Sequence, residues 1–244
     1  MSTSPRIALI TGANKGLGFE TARQLGKQGI TVLIGARDAA RGAQAAATLA
    51  KEGITAHAVT IDVVSQASIV AAAADVAKRF GALDILVNNA GVLDYAADTG
   101  VETTTVETFR RVFETNLFGL VGVTQAFLPL LKKSAAGRIV NLTSILGSIA
   151  EHSDPNSFIY AMRFPAYDAS KAAVNMYTAE LAQTFKGTAL KINAAHPGWV
   201  KTDMGGEQAP MEIIDGVKTS VALATLPAEG PSGGYFHLGV HLRW

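Results

Sequence analysis

Residues 11–20 read TGANKGLGFE, directly after the apolar run RIALI. The run predicts a buried strand, and LGFETARQLGKQG after it predicts a helix closed by Gly29. Gly12, Gly16 and Gly18 therefore stand where a strand hands over to a helix. Gly12 can take backbone angles that a side chain forbids. Gly16 and Gly18 leave bare backbone for a diphosphate at a helix N-terminus, where unpaired N–H groups and the dipole favour an anion. A tight loop without a ligand would also use glycine. The strand–turn–helix context favours the phosphate reading.

The same alternation continues along the chain. TVLIGA, ITAHAVTID, LDILVNNAG, GRIVNLTS, LKINAAHPG and a short GGYFHLG read as further strands. Helical patterns separate them, with Asp38 and Ser65 as N-caps, and with a long helical region from about Thr104 to Lys133 in which Pro129 bends or ends the core. This order predicts a Rossmann-type, doubly wound α/β fold in one domain: about seven parallel strands with helices on both faces. Roughly residues 1–135 are expected to form its cofactor part, and roughly residues 136–244 its active-site and substrate part.

Composition narrows the function classes. A net charge of +1 gives no reason to expect nucleic acid or a charged membrane surface as partner. The apolar runs are too short to span a bilayer, and MSTSPR leads into no signal-peptide core, so a cytoplasmic location is expected. There is no cysteine, hence no disulfide or thiolate chemistry. His57, His152, His196, His237 and His241 lack metal-ligand spacing, and no metal is expected.

The glycine spacing T-G-x-x-x-G-x-G resembles the fingerprint of the short-chain dehydrogenase/reductase family. The resemblance extends over almost the whole chain: NNAG at 88–91, Asn116 in TNLFG, Ser144 at the end of NLTS, Tyr167 and Lys171 in YDASK, and HPGWVKTDM at 196–204. Within the family, the sequence looks most like the carbonyl reductases that act on xenobiotic ketones and quinones. The resemblance implies NADP(H)-dependent reduction of a small-molecule carbonyl to an alcohol, reversibly. It makes Tyr167 the acid/base and gives Ser144 the substrate oxygen. Lys171 holds the nicotinamide ribose and tunes the tyrosine, and Asn116 positions a water that links Lys171 to solvent. It further implies cofactor contacts from Gly12, Asn14, Lys15, Gly16, Leu17, Gly18, Arg37, Asp62, Val63, Asn89, Ala90, Gly91, Pro197, Gly198, Val200 and Thr202, besides Tyr167 and Lys171. Taken singly, Ser144 could be a strand-end cap, Asn116 a backbone-bonded helix residue, and Asp62 either the adenine contact or a cap.

The residues themselves bear on cofactor and chemistry. The second strand ends in Ala36 and Arg37, with no carboxylate at its tip to bind a ribose 2′-hydroxyl. Lys15 and Arg37 are two cations for a 2′-phosphate, which reads as NADP(H); Asp38 could partly offset them. Tyr167 and Lys171 are four apart, on one helix face. A free tyrosine titrates near about 10, and a nearby cation lowers that value.

The interval from Ser144 to Tyr167 is longer than the family's usual one. The insert, near 146–165, carries Phe158, Ile159, Tyr160, Met162 and Phe164, which need a surface to bury against or line the substrate site. The resemblance places such an insert across the two long helices through which family oligomers pair. A monomer is expected, with a homodimer as the alternative. A specific terpenoid, steroid or quinone reductase, or a non-catalytic NADP(H) sensor, are competing functions.

Overall fold

The computed structural model describes residues 5–244. Its strands are β1 (Ile7–Thr11), β2 (Thr31–Ala36), β3 (Ala56–Thr60), β4 (Ile85–Asn88), β5 (Arg138–Leu142), β6 (Lys191–Ala195), β7 (Tyr235–His237) and β8 (Val240–His241). They form one sheet in the order β3-β2-β1-β4-β5-β6-β7-β8. All neighbours are parallel except β7 and β8. The order reverses between β1 and β4, and that switch point opens a crevice beyond the strands' carboxyl ends.

Alternation along the buried strands sends side chains to both faces. Ala8 and Ile10 of β1 join Leu25, Leu49 and Val221 in one core. Leu9 joins Ile69, Val123 and Phe127 in the other. The first core packs under α1 (Gly16–Gly26), α2 (Ala39–Lys51) and α9 (Lys218–Ala224), the last preceded by the short α8 (Ile213–Gly216). The second lies under α3 (Gln66–Phe80), α5 (Leu120–Leu131) and α7 (Pro165–Thr184). Asp38 and Ser65 cap α2 and α3 as expected, accepting the N–H groups of Arg41 and Ser68.

Three differences from the sequence reading have physical causes. The eighth strand is made by a two-residue turn, Leu238 and Gly239, both at positive φ (45° and 82°), which is the hairpin turn that matches strand twist. The long helical region is α4 (Val106–Phe113), a π-helical segment Glu114–Gly119, and α5. Its irregularity lies where Gly119 presses on the loop after β3: a Cβ there would stand 2.7 Å from the Val63 carbonyl oxygen. Pro129 stays inside α5, two residues from its end, so the helix is not ended at it. Third, the insert does not bury the apolar set expected of it. It forms a 3₁₀ turn, Ile145–Gly147, the short α6 (Ile149–His152) and a run of turns. Ile159 is fully buried, but Phe158 is 74% exposed, and Tyr160 and Met162 are also exposed.

Two polar features hold the halves together. Asn88 donates to Thr124 and Asn141, and Asn141 donates to Thr178, each at 2.9 Å, tying β4 and β5 to α5 and α7. Arg138, 1% exposed, begins β5. Its guanidinium donates to the carbonyls of Gly137, Ala189, Leu226 and Pro227.

Candidate active site

The crevice is a groove of about 1240 Å³. At one end is the glycine turn. Gly12 and Gly16 have φ of +64° and +59°, angles at which a side chain is strained. Gly18 has a packing role as well. A Cβ there would stand 2.5 Å from Asn89 Nδ2 and 2.7 Å from the Gly12 carbonyl oxygen, so its bareness also permits close packing inside the turn. Asn89 Nδ2 donates to the Thr11 carbonyl at 2.8 Å, and the Thr11 hydroxyl accepts the N–H groups of Asn89 and Ala90. The ends of β1 and β4 are thereby locked together. The N-terminus of α1 has no side-chain cap and no acidic residue in its first turn, which leaves it open to an anion.

Sixteen of the eighteen residues expected to touch a cofactor line this one groove: Gly12, Asn14, Lys15, Gly16, Leu17, Gly18, Arg37, Asp62, Val63, Asn89, Ala90, Gly91, Tyr167, Lys171, Pro197 and Thr202. Gly198 and Val200 stand outside its lining. Gly198, at φ +91°, shapes the turn, with Met211 and His237 closing on its bare Cα. Val200 is buried, and its methyl groups press on Gly216. Thr202 uses its hydroxyl to accept the Gly205 N–H at 3.0 Å. Asp62 is no helix cap, since Ser65 fills that place; its carboxylate accepts the Val64 N–H within its own loop.

The cations expected to meet a 2′-phosphate differ in their partners. Lys15 forms an ion pair with Asp203, in the loop after β6, so the glycine turn and that loop are joined across the groove. Arg37 is exposed and has no carboxylate partner among the described residues. Asp38 is engaged by α2, where it accepts the Arg41 N–H and lies 3.7 Å from the Arg41 guanidinium. It opposes the cations less than its position in the sequence suggested.

The other end of the groove holds Tyr167 and Lys171, both buried. They sit on α7, four residues apart, with the ammonium 5.6 Å from the ring centroid. Burial raises the Tyr167 phenol well above its ordinary value, and a hydrogen bond with Ser144 works against that rise. The net shift is thus upward, against the lowering expected of a neighbouring cation; the Lys171 ammonium donates to the Leu142 carbonyl at 3.0 Å, and burial depresses its own pKa to about 8. Ser144 is placed by the end of β5, where its hydroxyl also accepts the Leu146 N–H.

Asn116 lies in the π-helical segment, 1% exposed. Its amide donates to the Val92 carbonyl and the Ser170 hydroxyl, and its Oδ1 accepts the Val92 N–H at 2.8 Å. The backbone-bonded alternative therefore describes most of its capacity. One lone pair of Oδ1 is left. A Cβ on Gly91 would stand 3.3 Å from that oxygen and 3.5 Å from Lys171 Nζ, so both atoms border the space beside Gly91.

His196 and Asp168 escaped the sequence reading. Burial drops the His196 imidazole to about 3, so it is neutral, and its Nδ1 accepts the Ile145 and Gly198 N–H groups, bracing the loop after Ser144 against the Pro197 turn. Burial raises Asp168 to about 7. It stands beside Tyr167, 3.5 Å from His152 Nε2. Neither residue belongs to a pattern that spacing alone would reveal.

Comparison with known proteins agrees with the geometry. A family model described as short chain dehydrogenase matches residues 6–213. The chain is 35% identical to a (+)-neomenthol dehydrogenase of Arabidopsis thaliana, covering 96% of each. It is 33% identical to carbonyl reductase [NADPH] 1 of Bos taurus, covering 100% of each. Among solved structures, NADPH-bound carbonyl reductase from chicken fatty liver superposes with a TM-score of 0.86 at 30% identity, over 99% of this chain and 100% of that one.

Proposed function

Since the chain belongs to the short chain dehydrogenase family, we propose that it reduces bulky ketones, aldehydes and quinones to alcohols with NADPH, reversibly, with Asn116, Ser144, Tyr167 and Lys171 as its catalytic residues. One observation carries the reading: a single groove has an uncapped helix N-terminus flanked by Lys15 and Arg37 at one end, and a buried Tyr167–Lys171 pair backed by Ser144 at the other. The residues present fit the dinucleotide, since the open N–H groups suit a diphosphate and the free Arg37 suits a 2′-phosphate.

Bound there, the dinucleotide supplies a hydride. Ser144 and Tyr167 hold the carbonyl oxygen between two hydroxyls, and negative charge builds on that oxygen as the carbonyl is reduced. Tyr167 is protonated throughout the neutral range, because burial raises its phenol. It is therefore poised to donate its proton to the oxygen. Lys171, close to its own midpoint at about 8, returns a proton toward the phenolate. The free lone pair of Asn116 Oδ1 offers a place for a water next to Lys171, giving that proton a route from solvent.

The test is a panel assay of NADPH and NADH consumption with aromatic ketones, isatin, quinones, β-keto esters and alicyclic terpenoid ketones. Turnover confined to one alicyclic ketone would favour the single-substrate alternative, which the likeness to a neomenthol dehydrogenase supports. Binding of NADPH with no turnover of any carbonyl would favour a non-catalytic sensor. For assembly, the monomer reading faces exposed Phe118 and Met176 on the two packed helical segments, left uncovered by the insert. These support the homodimer alternative, and light scattering distinguishes the two.

A further inference from the structure

Tyr167 is the third residue of α7, and the first turn of a helix has N–H groups with no partner inside the helix. The N-cap, Phe164, offers no side-chain acceptor, and Pro165 has no N–H. The Asp168 N–H already reaches the Phe164 carbonyl at 2.7 Å. Ala166 and Tyr167 remain, and both are satisfied from elsewhere in the chain. Asp98 Oδ1 accepts the Ala166 N–H at 3.0 Å, and Asp98 Oδ2 accepts the Tyr167 N–H at 2.8 Å. Asp98 is 0% exposed. Its other contact is the Thr104 hydroxyl, at 3.1 Å. No cation pairs with it among the described residues, so the N–H groups and the dipole of α7 are what hold a carboxylate there.

The stretch between β4 and Asp98 is tied down at each step. Asn89, Ala90 and Gly91 line the groove. Val92 is gripped on both its N–H and its carbonyl by Asn116. Asp94 is paired with Arg111, and its carbonyl accepts the Asp98 N–H at 2.8 Å. Asp98 then grips Tyr167. We propose that Asp98 is a positioning residue for the reaction, a cap supplied in trans that fixes the Tyr167 backbone relative to the groove wall formed after β4. The proposal rests on the reading of Tyr167 as the proton donor.

Asp98→Asn tests it, because a carboxamide has one acceptor oxygen for two N–H groups and turns a donor toward the other. The expected result is a fall in kcat of about tenfold or more, with the Kd for NADPH within about twofold of wild type. A raised solvent deuterium isotope effect is expected with it, since a displaced phenol slows the proton step. A merely structural cap would lower the melting temperature and leave the isotope effect alone. Ser65→Ala, which removes the cap of α3, is the control for that behaviour. Asp98→Glu keeps both oxygens and the charge but moves them by a methylene. It is expected to fold and still lose kcat, which covers the case of a misfolded Asp98→Asn. Wild-type kcat in either folded variant, or a kcat loss matched by equal loss of NADPH binding, overturns the proposal. Tyr167→Phe is run alongside. If it turns over freely, the reading of the site fails and the positioning role falls with it; if it is inactive while the Asp98 variants are normal, the positioning role alone fails.

Discussion

Replacing Lys171 with methionine is expected to make the cofactor-free protein more stable at neutral pH, at the expense of its activity. Lys171 is buried, with its ammonium on one carbonyl, and burial lowers its pKa from 10.5 to about 8. The unfolded chain therefore binds this proton more tightly than the folded one. The cost to stability is full below pH 8, fades between pH 8 and 10.5, and is gone above. At about 1.36 kcal/mol per pH unit it amounts to about 3 kcal/mol at pH 7. Methionine has similar bulk and no charge, and so removes that cost. It also leaves the Leu142 carbonyl without its donor, which returns roughly 1–3 kcal/mol of penalty. The net gain at pH 7 is about 1 kcal/mol, or roughly 2–4 °C in a chain of this size. At pH 10 the wild type has recovered most of its deficit, while the orphaned carbonyl remains, so the order of stabilities reverses. Urea unfolding of both proteins at pH 7 and pH 10 measures this. A variant less stable at pH 7, or a difference that does not change with pH, refutes the reasoning.

The wild type is expected to prefer NADPH over NADH, and Lys15→Ala with Arg37→Ala to erode that preference by weakening NADPH alone, each charge-assisted phosphate bond being worth roughly 1.5–3 kcal/mol. Fluorescence titration with both cofactors reads this, and equal affinities in the wild type would sink it. Asp203→Asn is expected to tighten NADPH, because Lys15 no longer divides its charge between a carboxylate and a phosphate; weaker binding would show that the bridge supports the site. Gly18→Ala is expected to lose roughly 1–3 kcal/mol of stability by overpacking against Asn89 and the Gly12 carbonyl, along with NADPH affinity. Gly16→Ala meets no atom within 4 Å, so its cost comes from φ alone, about 1–2 kcal/mol; calorimetric melting of the two variants separates the causes.

Much of this was legible in the sequence. The strand–helix alternation and the glycine turn are local signals, and both predict where the groove lies. Tyr167 and Lys171 follow from the family resemblance and their place after the fifth strand; the four-residue spacing by itself only puts them on one helix face. Residues acting across the chain left no such trace. Asp98 stands 68 positions from the first N–H it caps, and His196 stands 51 positions from Ile145. Only the fold brings these pairs together. The Leu238–Gly239 turn was missed because such turns favour asparagine or aspartate at their first position, and leucine gives no warning. The π-helical segment depends on Gly119 meeting Val63 and Asn116 meeting Val92, contacts that periodicity does not encode. The Lys15–Asp203 pair, 188 positions apart, was hidden for the same reason.

The arginine that begins β5 has a consequence for synthesis. Three of its five hydrogen bonds go to the carbonyls of Leu226 and Pro227, almost ninety residues downstream. Ribosomes extend a chain at roughly 5–20 residues per second. For several seconds after Arg138 emerges, the Leu226 and Pro227 carbonyls that take three of those bonds do not yet exist. A buried cation short of most of its partners is strongly unfavourable. The nascent sheet therefore cannot close around β5 until the segment after α9 is out, whereas β1, β2 and β3 can assemble earlier. Ribosome-bound chains stalled before residue 226 should thus be open to protease around β5 and protected around the glycine turn.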